Sequence, residues 1–190
     1  MARIVITNRV HEEVASRLGR VGAVDLNASD TPLASDVLKT KLADADAMMG
    51  FMTDCVDRDV LASAPRLRIV ACALKGFDSY DVEACTAAGV WVTIVPDLLT
   101  APTAELAVGL AIGLARRIRE AAQAVHWGQF TGWLPRFYGV GLDESTVAIV
   151  GLGKVGRAIA TRLSGFGCRL LGVDPIATEM PAVERVELDE

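Results

Sequence analysis

The residues with the clearest chemical signature form a glycine-rich loop late in the 190-residue chain, Gly151-Leu152-Gly153-Lys154-Val155-Gly156. Each glycine of such a GxGxxG loop has its own task. Gly151 allows the tight turn from strand to helix, Gly153 leaves room for a pyrophosphate beside the main chain, and Gly156 lets helix and strand pack closely. The helix that follows presents unpaired N–H groups and a partial positive charge to phosphates. The loop therefore predicts dinucleotide binding.

An acidic residue stands where the ribose of such a cofactor would lie. A strand predicted at residues 169–173 ends at Asp174, 23 residues after Gly151, close to the roughly 20 that this type of site uses. A carboxylate there accepts hydrogen bonds from ribose hydroxyls and repels a 2′-phosphate. The alternative is a simple strand-end turn beside Pro175. The complete order of strand, loop, helix, strand and acid favours NAD over NADP.

A second set of candidates lies in the first half of the chain. Lys75 and Gly76 follow an apolar strand predicted at residues 67–71, and Met52 follows another at residues 47–51. In open α/β sheets, ligands bind beyond the carboxyl ends of the strands. Lys75 is thus placed to hold an anionic substrate. Position alone leaves open a solvated surface lysine, and Met52 taken alone would be core filling.

The elements that must position these residues alternate from the first residue onward. Strands are predicted at 3–7, 23–26, 47–51, 67–71 and 90–95, and helices at 10–18, 35–42, 57–63 and 81–88. Such alternation produces βαβ units and a mostly parallel sheet with helices on both faces. Residues 1–97 are therefore predicted to form a flavodoxin-like α/β domain, and residues 145–190 to begin a Rossmann NAD-binding domain.

Between these domains, residues 98–144 are predicted to form a connecting helix and an aromatic loop. Pro96 and Pro102 indicate a stiff connector. A helix is expected over residues 102–125, and its first half is apolar nearly all round, which predicts burial on several sides.

Composition and charge exclude several classes of protein. The net charge is −5 with no block of like charges, which argues against a nucleic-acid partner. No apolar run reaches the roughly 18 residues of a membrane span, and the amino terminus lacks a signal-peptide pattern. Four widely spaced cysteines and two histidines do not predict a metal site, and the cysteines are expected to be buried. These features predict a cytoplasmic protein.

Several stretches of the chain resemble the D-isomer-specific 2-hydroxyacid dehydrogenase family, and the resemblance spans essentially all 190 residues. The matching stretches are residues 47–52 (AMMGFM), 72–78 (CALKGFD), 95–106 (VPDLLTAPTAEL), 137–139 (FYG) and the GLGKVG loop. Within the family, the chain is most similar to the branch that oxidises phosphite. Lys75 is the most telling position, because most hydroxyacid dehydrogenases lack a lysine there.

The resemblance implies an NAD-dependent oxidoreductase acting on a small anion. The lysine would bind the phosphite dianion with help from the neighbouring glycine's main chain, two apolar residues would line the pocket, and one threonine would contact the nicotinamide end. The family has a small residue at position 154, so Lys154 adds a charge near the phosphates. The implied substrate-binding residues are Lys75, Gly76, Met52 and Leu99, and the implied cofactor-binding residues are Gly151, Gly153, Lys154, Val155, Gly156, Asp174 and Thr103.

The resemblance also implies that the catalytic residues are missing from the chain. The family's catalytic arginine, glutamate (or aspartate) and histidine come from the later part of the Rossmann domain, beyond Glu190. His11 and His126 do not match the family histidine. The last residues, 183–190, resemble the next strand and the start of its helix. The chain is therefore expected to be a truncated member with no turnover alone.

Two alternatives remain open. One is an NAD-dependent D-2-hydroxyacid dehydrogenase whose substrate is a small acid such as glycerate or lactate. The other is a non-catalytic NAD-sensing or dimerising module that presents the helix at residues 102–125 to a partner. In the family that helix usually helps to form a homodimer, which is therefore the expected assembly.

Overall fold

The computed structural model describes residues 1–176 and 179–189. The chain divides into two compact units, Met1–Asp97 and Leu98–Glu190. The segment predicted as a connector thus belongs to the same unit as the glycine-rich loop.

The first unit is a five-stranded sheet in which every neighbouring pair of strands is parallel. Its strand order is β2-β1-β3-β4-β5, the flavodoxin-like order, so the predicted α/β fold with a parallel sheet is confirmed. The elements are β1 (Ala2–Ile6), α1 (Glu12–Gly19), β2 (Gly22–Leu26), α2 (Ser35–Leu42), β3 (Ala47–Gly50), α3 (Arg58–Ala62), β4 (Ile69–Cys72), α4 (Val82–Ala87) and β5 (Trp91–Thr93).

The core of the first unit comes from apolar residues of the central strands. Val5, Met48 and Val70 lie side by side on β1, β3 and β4 and are fully or almost fully buried, with Leu38 and Leu42 of α2 in the same cluster. Central parallel strands read as continuous apolar runs because helices cover both faces of the sheet. The carboxyl ends of β1, β3 and β4 are thereby brought to one edge, where the predicted ligand residues follow.

The second unit contains a three-stranded parallel sheet in the order β6-β7-β8. Its elements are α5 (Thr100–Ala115), α6 (Ile118–His126), β6 (Thr146–Val150), α7 (Lys154–Leu163), β7 (Arg169–Val173) and β8 (Glu184–Arg185). Helix α5 packs against α7, and Val108, Ile149 and Leu163 belong to their shared core. β8 lies within residues 183–190, which were expected to form the next strand and the start of its helix, and of which Glu190 is outside the described residues.

The prediction of a single helix over residues 102–125 is wrong in two respects. The chain forms two helices, α5 and α6, because Arg117 takes a left-handed conformation (φ 52°) that interrupts the helical repeat. The helix also begins earlier, at Thr100, because Pro102 lies in its first turn, where a missing N–H costs nothing.

The expected burial of α5 on several sides is also wrong. Only Ala104 and Val108 of this helix are buried. Leu106, Leu110 and Leu114 are 63%, 64% and 83% exposed and, spaced four residues apart, form one stripe. We call these three residues the α5 stripe.

The cysteines and helices bear on other predictions. Cys72 and Cys85 are buried, whereas Cys55 is exposed and Cys168 is half-buried, so the expected burial holds for only part of the set. Across residues 1–176 and 179–189, no three His, Cys, Asp or Glu side chains come together as metal ligands. None of the helices in that part of the chain is long and apolar enough to cross a bilayer.

Candidate functional site

The three glycines of the loop occupy positions where a side chain would be strained or would intrude. Gly151 has φ +95°, a conformation that L side chains rarely adopt. Gly156 is buried, and a Cβ there would overlap the carbonyl oxygen of Gly151. Around Gly153, by contrast, no protein atom lies within 4 Å of an added Cβ, so this position opens onto free space. The loop thus combines a tight turn and a close helix–strand contact with an open approach to the main chain.

The amino terminus of α7 faces this opening. The helix begins at Lys154, with Gly153 as its N-cap. The first N–H groups of a helix have no partner within it. The Lys154 side chain is exposed and that of Val155 is half-buried. An anion above the loop would therefore meet main-chain N–H donors and a nearby cationic side chain.

Asp174 connects the end of β7 to the glycine-rich loop. Its Oδ2 accepts a 2.7 Å hydrogen bond from the N–H of Leu152, and its Oδ1 accepts one of 2.9 Å from the N–H of Ile176. The guanidinium of Arg185 donates to the Asp174 main-chain carbonyl at 2.9 Å. Each carboxylate oxygen has more than one lone pair, so the half-buried carboxylate retains acceptor capacity for a ribose hydroxyl.

A second candidate site lies within the first unit, beyond the carboxyl ends of β3 and β4. It is a cavity of about 230 Å³ lined by Met52, Leu74, Gly76, Asp78 and Ser79. The structure therefore brings together two residues predicted from the sequence, Met52 and Gly76. The other three were not predicted, although Asp78 and Ser79 are polar residues following a strand end, which is the signal that would have found them.

Lys75 lies between two cavity residues in the chain but does not itself line the cavity. Its side chain is exposed, and it forms no ion pair with any residue that the structure describes. The side chain is a flexible four-carbon chain, so its ammonium group can reach an anion placed at the mouth of the cavity.

Leu99 and Thr103 lie in the second unit, at the start of α5. Leu99 is the N-cap, its side chain is 42% exposed, and its carbonyl accepts the N–H of Thr103 at 3.1 Å. Both side chains are accessible. Their predicted contacts, with the substrate and with the nicotinamide end of the cofactor, stay predictions.

Tyr80 is a buried residue that directly follows the cavity residue Ser79 in the chain. Burial raises the pKa of its phenol above the ordinary value, and the neighbouring Cys72 and Asp54 act in the same direction. The hydroxyl is therefore a neutral donor at physiological pH, and it donates to the main-chain carbonyl of Phe51 at 3.0 Å.

Comparison with known proteins identifies the family. Residues 4–186 match the family model described as D-isomer specific 2-hydroxyacid dehydrogenase, catalytic domain. The chain belongs to this family. The predicted family and its oxidoreductase class are thereby confirmed.

Known proteins resemble the chain in sequence and in fold. The glyoxylate reductase of Korarchaeum cryptofilum (strain OPF8) is 36% identical over 179 residues, which cover 93% of this chain and 54% of that protein. A crystal structure of a protein from Thermus thermophilus has a TM-score of 0.94 at 28% identity and covers 98% of this chain and 60% of its own. The chain spans about half the length of the curated relatives it matches.

The fold is also shared with a D-lactate dehydrogenase. The D-lactate dehydrogenase of Aquifex aeolicus, complexed with NAD and lactic acid, has a TM-score of 0.82 at 21% identity and covers 98% of this chain and 56% of its own.

Proposed function

We propose that the protein carrying this chain is an NAD-dependent dehydrogenase that moves a hydride between the nicotinamide ring and a small anionic acid. The proposal rests above all on the geometry of the glycine loop. The loop is open to solvent at Gly153, closely packed at Gly156 and hydrogen-bonded to Asp174 through the N–H of Leu152. Membership of the dehydrogenase family supports it.

The cofactor roles follow from the chemistry of the loop. The N–H groups of Lys154 and Val155 donate to the pyrophosphate, and the Lys154 ammonium adds electrostatic attraction. Asp174 accepts from the adenosine ribose and repels the 2′-phosphate of NADP. The bound nicotinamide accepts or supplies the hydride.

The proposed substrate roles fall to residues of the first unit. In the first unit, Met52 provides an apolar wall and the main chain of Gly76 provides a polar contact, while the Lys75 ammonium attracts the anion. The first unit is in this proposal the substrate domain, and residues 145–190 are part of the NAD-binding domain.

Phosphite is the first substrate candidate, because an exposed lysine without an ionic partner among the described residues matches a compact dianion. The reaction transfers hydride from phosphorus to NAD, and the oxygen of water forms the new bond to phosphorus. Phosphite, NAD and water thus give phosphate, NADH and a proton. The resemblance around Lys75 supports this candidate.

A 2-hydroxy acid, or its keto-acid partner such as glyoxylate, is the second candidate. The observation that favours it is the 36% identity to a glyoxylate reductase. Such an acid carries a single carboxylate and demands less positive charge than phosphite. Oxidation of the hydroxyl carbon then replaces oxidation of phosphorus.

We further propose that two copies associate through the α5 stripe, and that the protein acts in the cytoplasm. The stripe exposes three leucines on one helical face of the single chain. Pairing with a second copy would remove this apolar surface from water.

A substrate comparison on the complete gene product tests the proposal. The protein that carries this chain is assayed with phosphite, lactate or glycerate plus NAD, and with glyoxylate plus NADH. We expect one class of acid to give the highest kcat/KM. The 190-residue chain alone is expected to show no turnover of any of these acids. Binding of NAD by the complete protein without turnover of any acid would contradict the dehydrogenase proposal and favour an NAD-sensing module.

A further inference from the structure

A buried carboxylate two residues after the cavity residue Met52 has no role in the proposal above. Asp54 is only 3% exposed and is one of the few buried polar residues of the chain. Its Oδ2 accepts the N–H of Phe51 at 2.7 Å and the hydroxyl of Thr7. Its Oδ1 is buried without a hydrogen-bond partner among the described residues. Burial of such a group is costly, so its presence calls for a role other than stability.

The partner of this carboxylate, Phe51, is held at both of its main-chain polar groups. Its N–H is bound by Asp54 Oδ2. Its carbonyl accepts the N–H of Asp54 at 3.1 Å and the hydroxyl of Tyr80 at 3.0 Å. The turn over residues 51–54 is therefore fastened from inside the protein, and we call these contacts the Phe51 clamp.

The clamp also belongs to a wider connection between two loops. The N–H of Val56 donates to the carbonyl of Ser79 at 3.1 Å, and the N–H of Asp81 donates to the carbonyl of Val56 at 2.8 Å. The loop that contains Val56 also supplies Met52 to the cavity. The loop that contains Ser79 supplies the polar side chains of the cavity, Asp78 and Ser79. The relative position of the cavity walls thus depends on main-chain contacts between the loops.

Met52 shows why the main chain must do this positioning. Its side chain is 75% exposed, so packing against neighbours does not hold it. Its location at the cavity follows from the conformation of the 51–54 turn. A looser turn would let the wall formed by Met52 move while the rest of the fold stays intact.

We propose that Asp54 and Tyr80 are positioning residues that hold the 51–54 turn so that Met52 forms a wall of the substrate cavity. They act through the main chain of Phe51 and do not touch the substrate. The inference rests on the proposed function, since it assigns the cavity to the acid substrate. It deepens that function by naming residues that set substrate affinity without setting cofactor affinity.

Variants of the complete protein test the clamp. Asp54→Ala removes the acceptor, and we expect the KM for the acid to rise roughly tenfold while the KM for NAD is unchanged. Asp54→Asn keeps an oxygen that can accept the Phe51 N–H and should restore most of the affinity. Tyr80→Phe removes one of two donors to the Phe51 carbonyl and should raise the acid KM by a smaller factor. It also decides the question if Asp54→Ala does not fold.

A core substitution provides the matched control. Leu42 is fully buried at the end of α2, outside both loops, so Leu42→Val lowers stability without touching the clamp. Hydrogen exchange of the peptide covering residues 48–56 should accelerate in Asp54→Ala relative to Leu42→Val.

Two outcomes would overturn the inference. In one, each clamp variant raises the KM for the acid only as much as Leu42→Val does for the same loss of stability. In the other, the NAD KM rises as much as the acid KM. A wild-type protein without turnover would instead refute the proposed function, while the exchange measurement would still show whether Asp54 holds the turn.

Discussion

The main-chain N–H of Leu152 donates a 2.7 Å hydrogen bond to the carboxylate of Asp174. The N–H of Gly151 also donates to the carbonyl of Val173 at 2.8 Å. The glycine-rich loop and the end of β7 are therefore joined at two points. The distance between the proposed pyrophosphate site and the proposed ribose site is set by these bonds, so the preference for one cofactor can be changed at a single side chain.

Replacing Asp174 should relax the preference for NAD. In Asp174→Ser the carboxylate that repels a 2′-phosphate is gone, so we expect the ratio of NADP to NAD affinity to rise at least roughly tenfold, or about 1.4 kcal/mol. Calorimetric titration of both cofactors measures it. Glu144→Gln, which removes an exposed carboxylate elsewhere in the same unit, is the control and should leave the ratio unchanged. An unaltered ratio in Asp174→Ser would remove the residue from the cofactor site.

Two alanine substitutions in the glycine loop should have different effects. Gly156→Ala places a methyl group against the Gly151 carbonyl, so both thermal stability and NAD affinity should fall. Gly153→Ala meets no protein atom within 4 Å, so stability should be kept. The methyl group would still stand in the path of the pyrophosphate and should reduce NAD affinity about tenfold or more. Calorimetric unfolding and NAD titration of both variants separate the effects, and normal NAD binding by Gly153→Ala would place the pyrophosphate elsewhere.

Removing the charge of Lys75 should distinguish the two substrate candidates. A hydrogen bond to a charged group contributes about 1.5–3 kcal/mol, so Lys75→Ala should lower kcat/KM for phosphite roughly ten- to hundredfold. NAD affinity should not change. Lys39→Ala, a lysine on α2 of the same unit, is the matched control. Unchanged phosphite kinetics in Lys75→Ala would show that this lysine does not bind the anion.

The first unit should lose stability in acid through Asp25. The hydrogen bond from Lys41, with a weaker contribution from Arg3, holds the pKa of Asp25 below its ordinary value of 3.8, although partial burial opposes the shift. Because the folded pKa lies below the unfolded one, the ionised carboxylate stabilises the fold above the unfolded pKa. This contribution is lost as the pH falls through the folded pKa, below about 4. Urea titrations across this range should show a smaller pH dependence in Asp25→Asn than in the wild type; an equal dependence would refute the assignment.

The α5 stripe should govern association of two copies. Leu110→Asp places a charge in the centre of the stripe, and we expect a dimer in the wild type and a monomer in the variant by analytical ultracentrifugation. The cause is the cost of burying a carboxylate without a partner. Leu188→Asp, another exposed leucine of the second unit, should remain dimeric. A monomeric wild type would contradict the proposed assembly.

The limits of prediction can be seen in particular elements. The strand predicted at residues 169–173 coincides with β7, because an apolar run between a glycine and a turn is a local signal. The break between α5 and α6 carries no such signal. It occurs at Arg117, neither glycine nor proline, and an arginine in the left-handed region is set by its surroundings.

The spacing of Gly151, Gly153 and Gly156 was enough to predict a tight turn between a strand and a helix, since the steric demands of a strand–turn–helix act on neighbouring residues. The tertiary structure alone decided that Asp54 and Tyr80, 26 residues apart, meet at the main chain of Phe51. Hydrogen bonds between distant segments form only when parallel strands bring their loops to one edge of a sheet, and they leave no pattern in the intervening sequence.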